Sequence, residues 1–209
     1  MRRAVVFDFG AVLFRWQPFE LLQQAAPQVV RDEASARTLA AQIFQGFTPA
    51  SDWARFDLGL VDEAQLSDAI ARRTGLAPDV IRRVIDAVPG HLSALPDSVA
   101  LFRALKAAGH RMVFLSNMPR PYASHLLRLN AFIADFEDGI FSGDVGLMKP
   151  WPALFELAQH RFGLNHTQQT LFIDDHAGNI EAGRRHGWQG LQFTSADAAE
   201  PVLRRDGWL

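Results

Sequence analysis

Three short apolar runs in this chain are apolar at almost every position, and each stops on polar residues: RAVVFD (3–8), RMVFLSN (111–117) and TLFIDD (170–175). A run without polar alternation suits a strand covered on both faces, as in a parallel sheet between two layers of helices. A shorter run, GLQF (190–193), is a fourth candidate. Helical patterns lie between them. PDSVALFRALKAAGH (96–110) has apolar residues at helical spacing, with Gly109 suited to the stop. WPALFELAQHRFG (151–163) follows Pro150 and ends at a glycine, and HAGNIEAGRRHGW (176–188) starts directly after paired acids. Strands alternating with helices imply βα units and an α/β fold with a parallel sheet flanked by helices.

The interval from about 16 to 90 breaks this rhythm. QPFELLQQAAPQVV, DEASARTLAAQIFQGF, DEAQLSDAIARRTGL and PDVIRRVIDAV all read as helices, with Pro18, Pro49, Pro78 and Pro89 at their boundaries. An all-helical block between the first strand and the remaining sheet reads as an inserted subdomain. The expected division is a core of residues 1–15 and 90–209 and a helical cap of residues 16–89.

Composition narrows the function. A formal net charge of −2 without a basic stretch leaves no electrostatic footprint for nucleic acid. The absence of cysteine excludes disulfides, thiolate metal sites and a cysteine nucleophile. The start, MRRAVVFDFGAVLF, has the basic-then-apolar order of a leader, but Asp8 interrupts the apolar run, so a cytoplasmic protein is expected. No segment is long and apolar enough to span a membrane. Basic residues are nearly all arginine; the lysines are Lys106 and Lys149.

In open parallel sheets, ligands sit beyond the carboxyl ends of the strands. That places Asp8, Ser116 with Asn117, and Asp174 with Asp175 around one crevice, with Lys149 of GLMKPW reaching it from a loop. Carboxylates gathered there repel one another unless a cation intervenes. An all-oxygen set suits Mg²⁺, which commonly bridges carboxylates to phosphate. Lysine adds a compact positive charge where arginine's planar fork does not serve. Ser116 and Asn117 offer donors to phosphoryl oxygens. This is equipment for phosphoryl transfer, in which an aspartate can serve as nucleophile. The substrate class is therefore a small phosphorylated metabolite.

In order and spacing, VVFDFGAVL, VFLSN, GLMKPWPALF and LFIDDHAGNIEAGRRHGW resemble the four motifs of the haloacid dehalogenase superfamily of hydrolases. The resemblance covers essentially the whole chain. It implies a Rossmann-like core with a small helical cap inserted after the first motif. It implies Asp8 as nucleophile, Ser116 as a phosphoryl-oxygen ligand and Lys149 as the neutralising cation. It further implies Mg²⁺ held by Asp8, the Gly10 carbonyl and Asp175, with Asp174 and Asn179 in support. DFGAVLF and DDHAGN are most similar to bacterial sugar-phosphate phosphatases of the glucose-1-phosphate phosphatase type and to the phosphatase domain of soluble epoxide hydrolases, so a sugar phosphate is the expected substrate.

One departure stands out. Most phosphatases of the superfamily carry a second aspartate two residues after the nucleophile, which protonates the leaving group; here that position is Gly10. Loss of a general acid typically costs about 10²–10⁴ in rate. His176 is a candidate replacement. The absent acid keeps a 2-haloacid dehalogenase as the alternative, although the Asp174–Asp175 pair counts against it; the resemblance would then ask for a halide-binding arginine in the cap, among Arg31, Arg37 and Arg55. A non-catalytic phosphate-binding member is the third reading. Trp16, Trp53 and Phe56 are candidates for lining the cleft, while His160, His166 and His186 are expected to be structural. GLMKP, with its one glycine, is not a phosphate-binding P-loop.

Overall fold

The computed structural model describes residues 3–48, 50–164 and 169–209; Pro49 and His166, both named above, lie outside them. Five strands form one parallel sheet in the order β3-β2-β1-β4-β5. They are β1 (Ala4–Phe7), β2 (Arg111–Ser116), β3 (Asp138–Phe141), β4 (Thr170–Asp174) and β5 (Gln189–Gln192). The three anticipated apolar runs are the three central strands, and the pleat explains why almost every position in them is apolar. Val5, Phe7, Met112, Phe114, Leu171 and Ile173 face one core cluster. Ala4, Val6, Val113, Leu115 and Phe172 face the other. The first cluster is shared with α6 (Pro96–Ala107), α7 (Arg120–Leu129) and α11 (Ala196–Arg205); the second with α9 (Pro152–Arg161) and α10 (Ala177–Arg185).

Between β1 and α6 lie only helices among the described residues: α1 (Pro18–Ala25), α2 (Glu33–Phe44), α3 (Asp52–Asp57), α4 (Glu63–Thr74) and α5 (Pro78–His91), with one short 3₁₀ turn at Gln45–Phe47. Asp32 and Asp62 start α2 and α4 as reciprocal capping boxes. The chain leaves and re-enters the sheet layer side by side. Phe14 pairs with Ala94, Arg15 N donates to Ser93 O at 2.8 Å, and Leu95 N donates to Leu13 O at 2.9 Å.

Pro89 does not end a helix, as the sequence suggested; it lies inside α5. Proline lacks an N–H, so the carbonyl four residues earlier, on Ile85, loses its helical donor. The Tyr122 hydroxyl supplies one from α7 at 2.9 Å. Five strands and α-helices have no counterpart among the expected ones: β3, α3, α7, α8 (Ser142–Val145) and α11. In β3 the sequence is DGIF, a weak strand signal, because Gly139 yields its side-chain space to a core ring; a Cβ there would lie 2.0 Å from Phe114.

The end of α3 is fastened to the sheet layer through α8 (Ser142–Val145). Ser142 Oγ donates to Asp57 O at 2.6 Å and accepts from Met118 N at 2.9 Å. Just beyond, Gly59 takes a φ of +70°, and a Cβ there would lie 2.7 Å from Gly143 O. Replacing Gly59 with alanine combines left-handed strain with a backbone clash. Gly59→Ala is expected to cost about 2 kcal/mol or more, read as a lowered urea midpoint at unchanged slope.

Candidate active site

The carboxyl ends of β1 and β4 bring the first acids together. Phe7 is level with Ile173, and Asp8 N continues the ladder to Ile173 O at 2.9 Å. Lys149 Nζ lies 2.8 Å from Asp8 Oδ1 and 2.6 Å from Asp174 Oδ2. Oxygen atoms of Asp8, Asp174 and Asp175 lie within 4.8 Å of one another. Asp174 is wholly buried and saturated with donors. Asn179 Nδ2 reaches its two oxygens at 3.0 and 3.1 Å, and His176 N reaches Oδ1 at 2.8 Å.

Asn117 is spent differently from the sequence expectation. Its Nδ2 donates to Lys149 O at 3.0 Å, and its Oδ1 accepts from Lys149 N at 2.8 Å. The side chain therefore holds the lysine's backbone rather than offering its amide freely to a ligand. Ser116 Oγ, at the end of β2, is buried with no hydrogen-bond partner among the described residues. An unsatisfied buried hydroxyl costs about 1–3 kcal/mol, so a ligand oxygen there would meet a real deficit.

Burial pushes the Asp8 carboxyl up to about 7, against the pull of the Lys149 ammonium, and the charges of Asp174 and Asp175 add to the rise. Burial and Asp174 also raise Asp175. Burial disfavours the Lys149 ammonium, but Asp174 and Asp8 outweigh it and hold its pKa above the ordinary lysine value. Three carboxylates thus share one ammonium. The deficit of positive charge, the all-oxygen donors and the close spacing fit Mg²⁺.

These groups form the floor of a cavity of about 220 Å³ that Asp8, Gly10, Asn117, Lys149, Asp175 and Asn179 line. The helical block supplies the roof: Trp16, Gly46, Phe47, Trp53, Asp57, Val88 and Leu92. Met118, Pro119, Tyr122, Met148, Pro150 and His176 complete the wall. Trp16 and Trp53 are therefore where the sequence reading put them. Phe56 is not; it is 1% exposed and packs edge-on against Tyr122 with ring centres 5.3 Å apart. Arg31, Arg37 and Arg55 are exposed, and none of them lines the cavity. His176 Nδ1 accepts from Gly178 N at 3.2 Å and caps α10. His186 stacks on Phe155, with ring centres 5.3 Å apart, and His160 is exposed in the last turn of α9. A Cβ built on Gly10 meets nothing within 4 Å.

Asp57 and Tyr122 were not anticipated. Asp57 sits on a helix of six residues, too short for a periodic signal, in a stretch (SDWARFDLG) that reads as an ordinary amphipathic turn. Its carboxyl is buried, and burial raises its pKa from 3.8 to about 8. Burial likewise raises the Tyr122 hydroxyl well above its usual value, and the neighbouring Asp57 charge adds to the rise.

A buried lysine set between two carboxylates, with an acid pair at the strand ends of a parallel sheet, is an arrangement suited to a hydrolase of the Rossmann-like class. Residues 3–187 match the haloacid dehalogenase-like hydrolase family, and the chain belongs to it. It is similar to a sesquiterpene phosphatase of Aspergillus oryzae, 26% identical over 204 residues that span 97% of this chain and 95% of that protein. It is also similar to an (S)-2-haloacid dehalogenase of a Pseudomonas species, 26% identical over 153 residues that span 73% of this chain and 60% of that one. Among solved structures, a family enzyme of Bacteroides thetaiotaomicron in complex with magnesium and inorganic phosphate superposes with a TM-score of 0.66 at 21% identity, over 91% of this chain and 93% of that one.

The unfolded chain releases the Asp57 proton above 3.8, whereas the folded protein keeps it until about 8. The folded state thus binds the extra proton between these values, so this group's contribution to stability falls as pH rises through the window and is level above it. The full cost is on the order of 5 kcal/mol. Asp57→Asn removes it. Its stability relative to the parent is expected to rise by a few kcal/mol between about pH 5 and about pH 8, measured by urea unfolding at each pH. Any fixed effect of the amide does not alter that slope.

Proposed function

We propose that this hydrolase is a Mg²⁺-dependent phosphatase that cleaves a small phosphate monoester through an aspartyl-phosphate intermediate. The observation that carries the reading is the cluster of Asp8, Asp174 and Asp175 around a buried lysine at the floor of the cavity. Asp8 attacks phosphorus. Ser116, whose hydroxyl has no partner among the described residues, donates to a phosphoryl oxygen. Lys149 neutralises charge on the phosphoryl group and on Asp8, while Asp174, itself held by Asn179, keeps its ammonium in place. Asp8, the Gly10 carbonyl and Asp175 are the residues that would hold Mg²⁺. Bound there, the ion supplies the charge neutralisation that phosphoryl transfer requires. In this reading residues 16–89 act as the cap that closes over the substrate and residues 1–15 and 90–209 as the catalytic core, although α5 continues to His91.

The likeness of DFGAVLF and DDHAGN to glucose-1-phosphate phosphatases favours a sugar phosphate. The roof favours an organic group with an apolar face: Trp16, Phe47, Trp53, Val88 and Leu92 line it, and the Tyr122 hydroxyl is already given to Ile85. The full-length similarity to a sesquiterpene phosphatase supports the second direction. We take the apolar-faced monoester as the better fit, because a ring bearing many hydroxyls needs more polar partners than this roof offers.

The dehalogenase reading draws on the Pseudomonas relative. It is weakened by the acid pair and by a cavity lining that holds no arginine among the described residues. A panel of sugar, terpenyl and aryl phosphates, assayed with Mg²⁺ and with chelator, separates the readings. Phosphate release is expected to require the metal and to fall about 10³-fold or more in Asp8→Asn. Halide release from a 2-haloacid irrespective of chelator, with no phosphate release, would transfer the assignment to the dehalogenase. Silence in both assays would leave a binding protein.

A further inference from the structure

We propose that Asp57, carried by α3 in the cavity roof, is the general acid and base of the reaction, giving its proton to the oxygen that leaves phosphorus and later taking one from the attacking water. The proposal rests on the phosphatase reading above.

Expulsion of an alkoxide needs a proton donor, and the floor of the cavity has none to spare. Asp8 is the nucleophile. Asp174 is occupied by Lys149 and Asn179, and Asp175 belongs to the metal set. The Tyr122 hydroxyl is committed to Ile85 O at 2.9 Å. His176 Nδ1 is engaged by the Gly178 N–H as the cap of α10, and its side chain is exposed. Asp57 remains. It lines the cavity, it is 7% exposed, and no donor among the described residues reaches its carboxyl group. Burial keeps it protonated at neutral pH, with a pKa of about 8, which suits a group that must both give and recover a proton. Tyr122 is the titratable group that senses its charge.

The position is also held firmly. Ser142 Oγ donates to the Asp57 carbonyl at 2.6 Å, and the chain two residues on presses against Gly143. A donor fixed by its backbone keeps its aim through the reaction.

The steps balance. Asp8 forms a bond to phosphorus as the bond to the organic oxygen breaks. The electron pair stays on that oxygen, which takes the Asp57 proton and departs as the alcohol. Water then attacks the same phosphorus, losing one proton to the Asp57 carboxylate. The Asp8–phosphorus bond breaks, which frees inorganic phosphate and restores both aspartates.

The test compares two esters on the full chain: para-nitrophenyl phosphate, whose phenoxide leaves without help, and phenethyl phosphate, whose alkoxide does not. In Asp57→Asn, kcat/KM for phenethyl phosphate is expected to fall about 10²–10⁴-fold, and that for para-nitrophenyl phosphate by less than about tenfold. Equal losses on both esters, or no loss on either, overturn the proposal while leaving the phosphatase reading intact. The same selective loss in His176→Ala, but not in Asp57→Asn, also overturns it. No phosphate release from either ester by the parent chain overturns the reading and the proposal together. Should Asp57→Asn fail to fold, a series of esters on the parent chain decides. A shallow dependence of rate on leaving-group basicity supports the donor, and a steep one overturns it.

Discussion

The Lys149 ammonium, 2.8 Å from Asp8 and 2.6 Å from Asp174, is the contact on which the site depends. Its side chain is fully enclosed, so every charge it touches must be answered locally. Removing one member of such a buried group leaves another uncompensated, at a cost of about 3–5 kcal/mol. That penalty ties the ends of two strands to one loop. Asn117 completes the tie from a third strand by clasping the lysine's own backbone, and Asn179 and the His176 N–H finish the coordination of Asp174 from α10. The result is a rigid floor with more negative than positive charge, open on one side to a cavity. On the proposed reading a floor of that kind would take a cation and a phosphate together, and Ser116, buried at the end of β2 with no partner among the described residues, would serve the phosphate as a donor.

The roof is joined to this floor by few but specific contacts. Ser142 grips the end of α3, Gly59 and Gly143 let two backbones approach, and Tyr122 replaces the donor that Pro89 removes from α5. Each contact compensates a local irregularity: a helix end, a left-handed residue and a proline inside a helix. Such irregularities are costly in isolation and persist where the surroundings satisfy them. Here they join the roof to the layer that carries the acids.

How much of this was legible in the sequence follows from the physics of each signal. Continuous apolar runs ending in Asp8, Ser116 and Asp174 gave the three central strands and the convergence of their ends, because double-sided burial writes itself into every position of a strand. Lys149 was legible as a rare lysine in a loop near the strand ends and Asn179 from motif resemblance, and the geometry now supplies their partners. β3 was hidden because its glycine makes room for Phe114, so it carries neither alternation nor a run. Pro89 misled because its compensation, Tyr122, lies more than thirty residues away in the sequence. Asn117, which the sequence offers as a ligand donor, also clasps the lysine backbone, a tie that only the three-dimensional structure displays. Phe56 and Trp53 share one short helix, and only the three-dimensional packing distinguishes the core ring from the cavity ring.

Gly10 and Asp57 belong to one problem. The space beyond Gly10 is open, so no steric demand keeps a side chain out of the position where most phosphatases of the superfamily carry their acid. An additional carboxylate there would join three others that share one ammonium, and would raise the charge deficit of the floor further. An acid in the roof avoids that conflict. Apolar burial keeps it neutral until it is used, and its distance in sequence from the floor makes proton donation depend on the closed arrangement of cap and core. On this view leaving-group chemistry and substrate selection reside in the same short helix, α3. An ester that fails to fill the roof would then lose its proton donor along with its contacts, so selectivity would be expressed in the rate of cleavage as well as in binding.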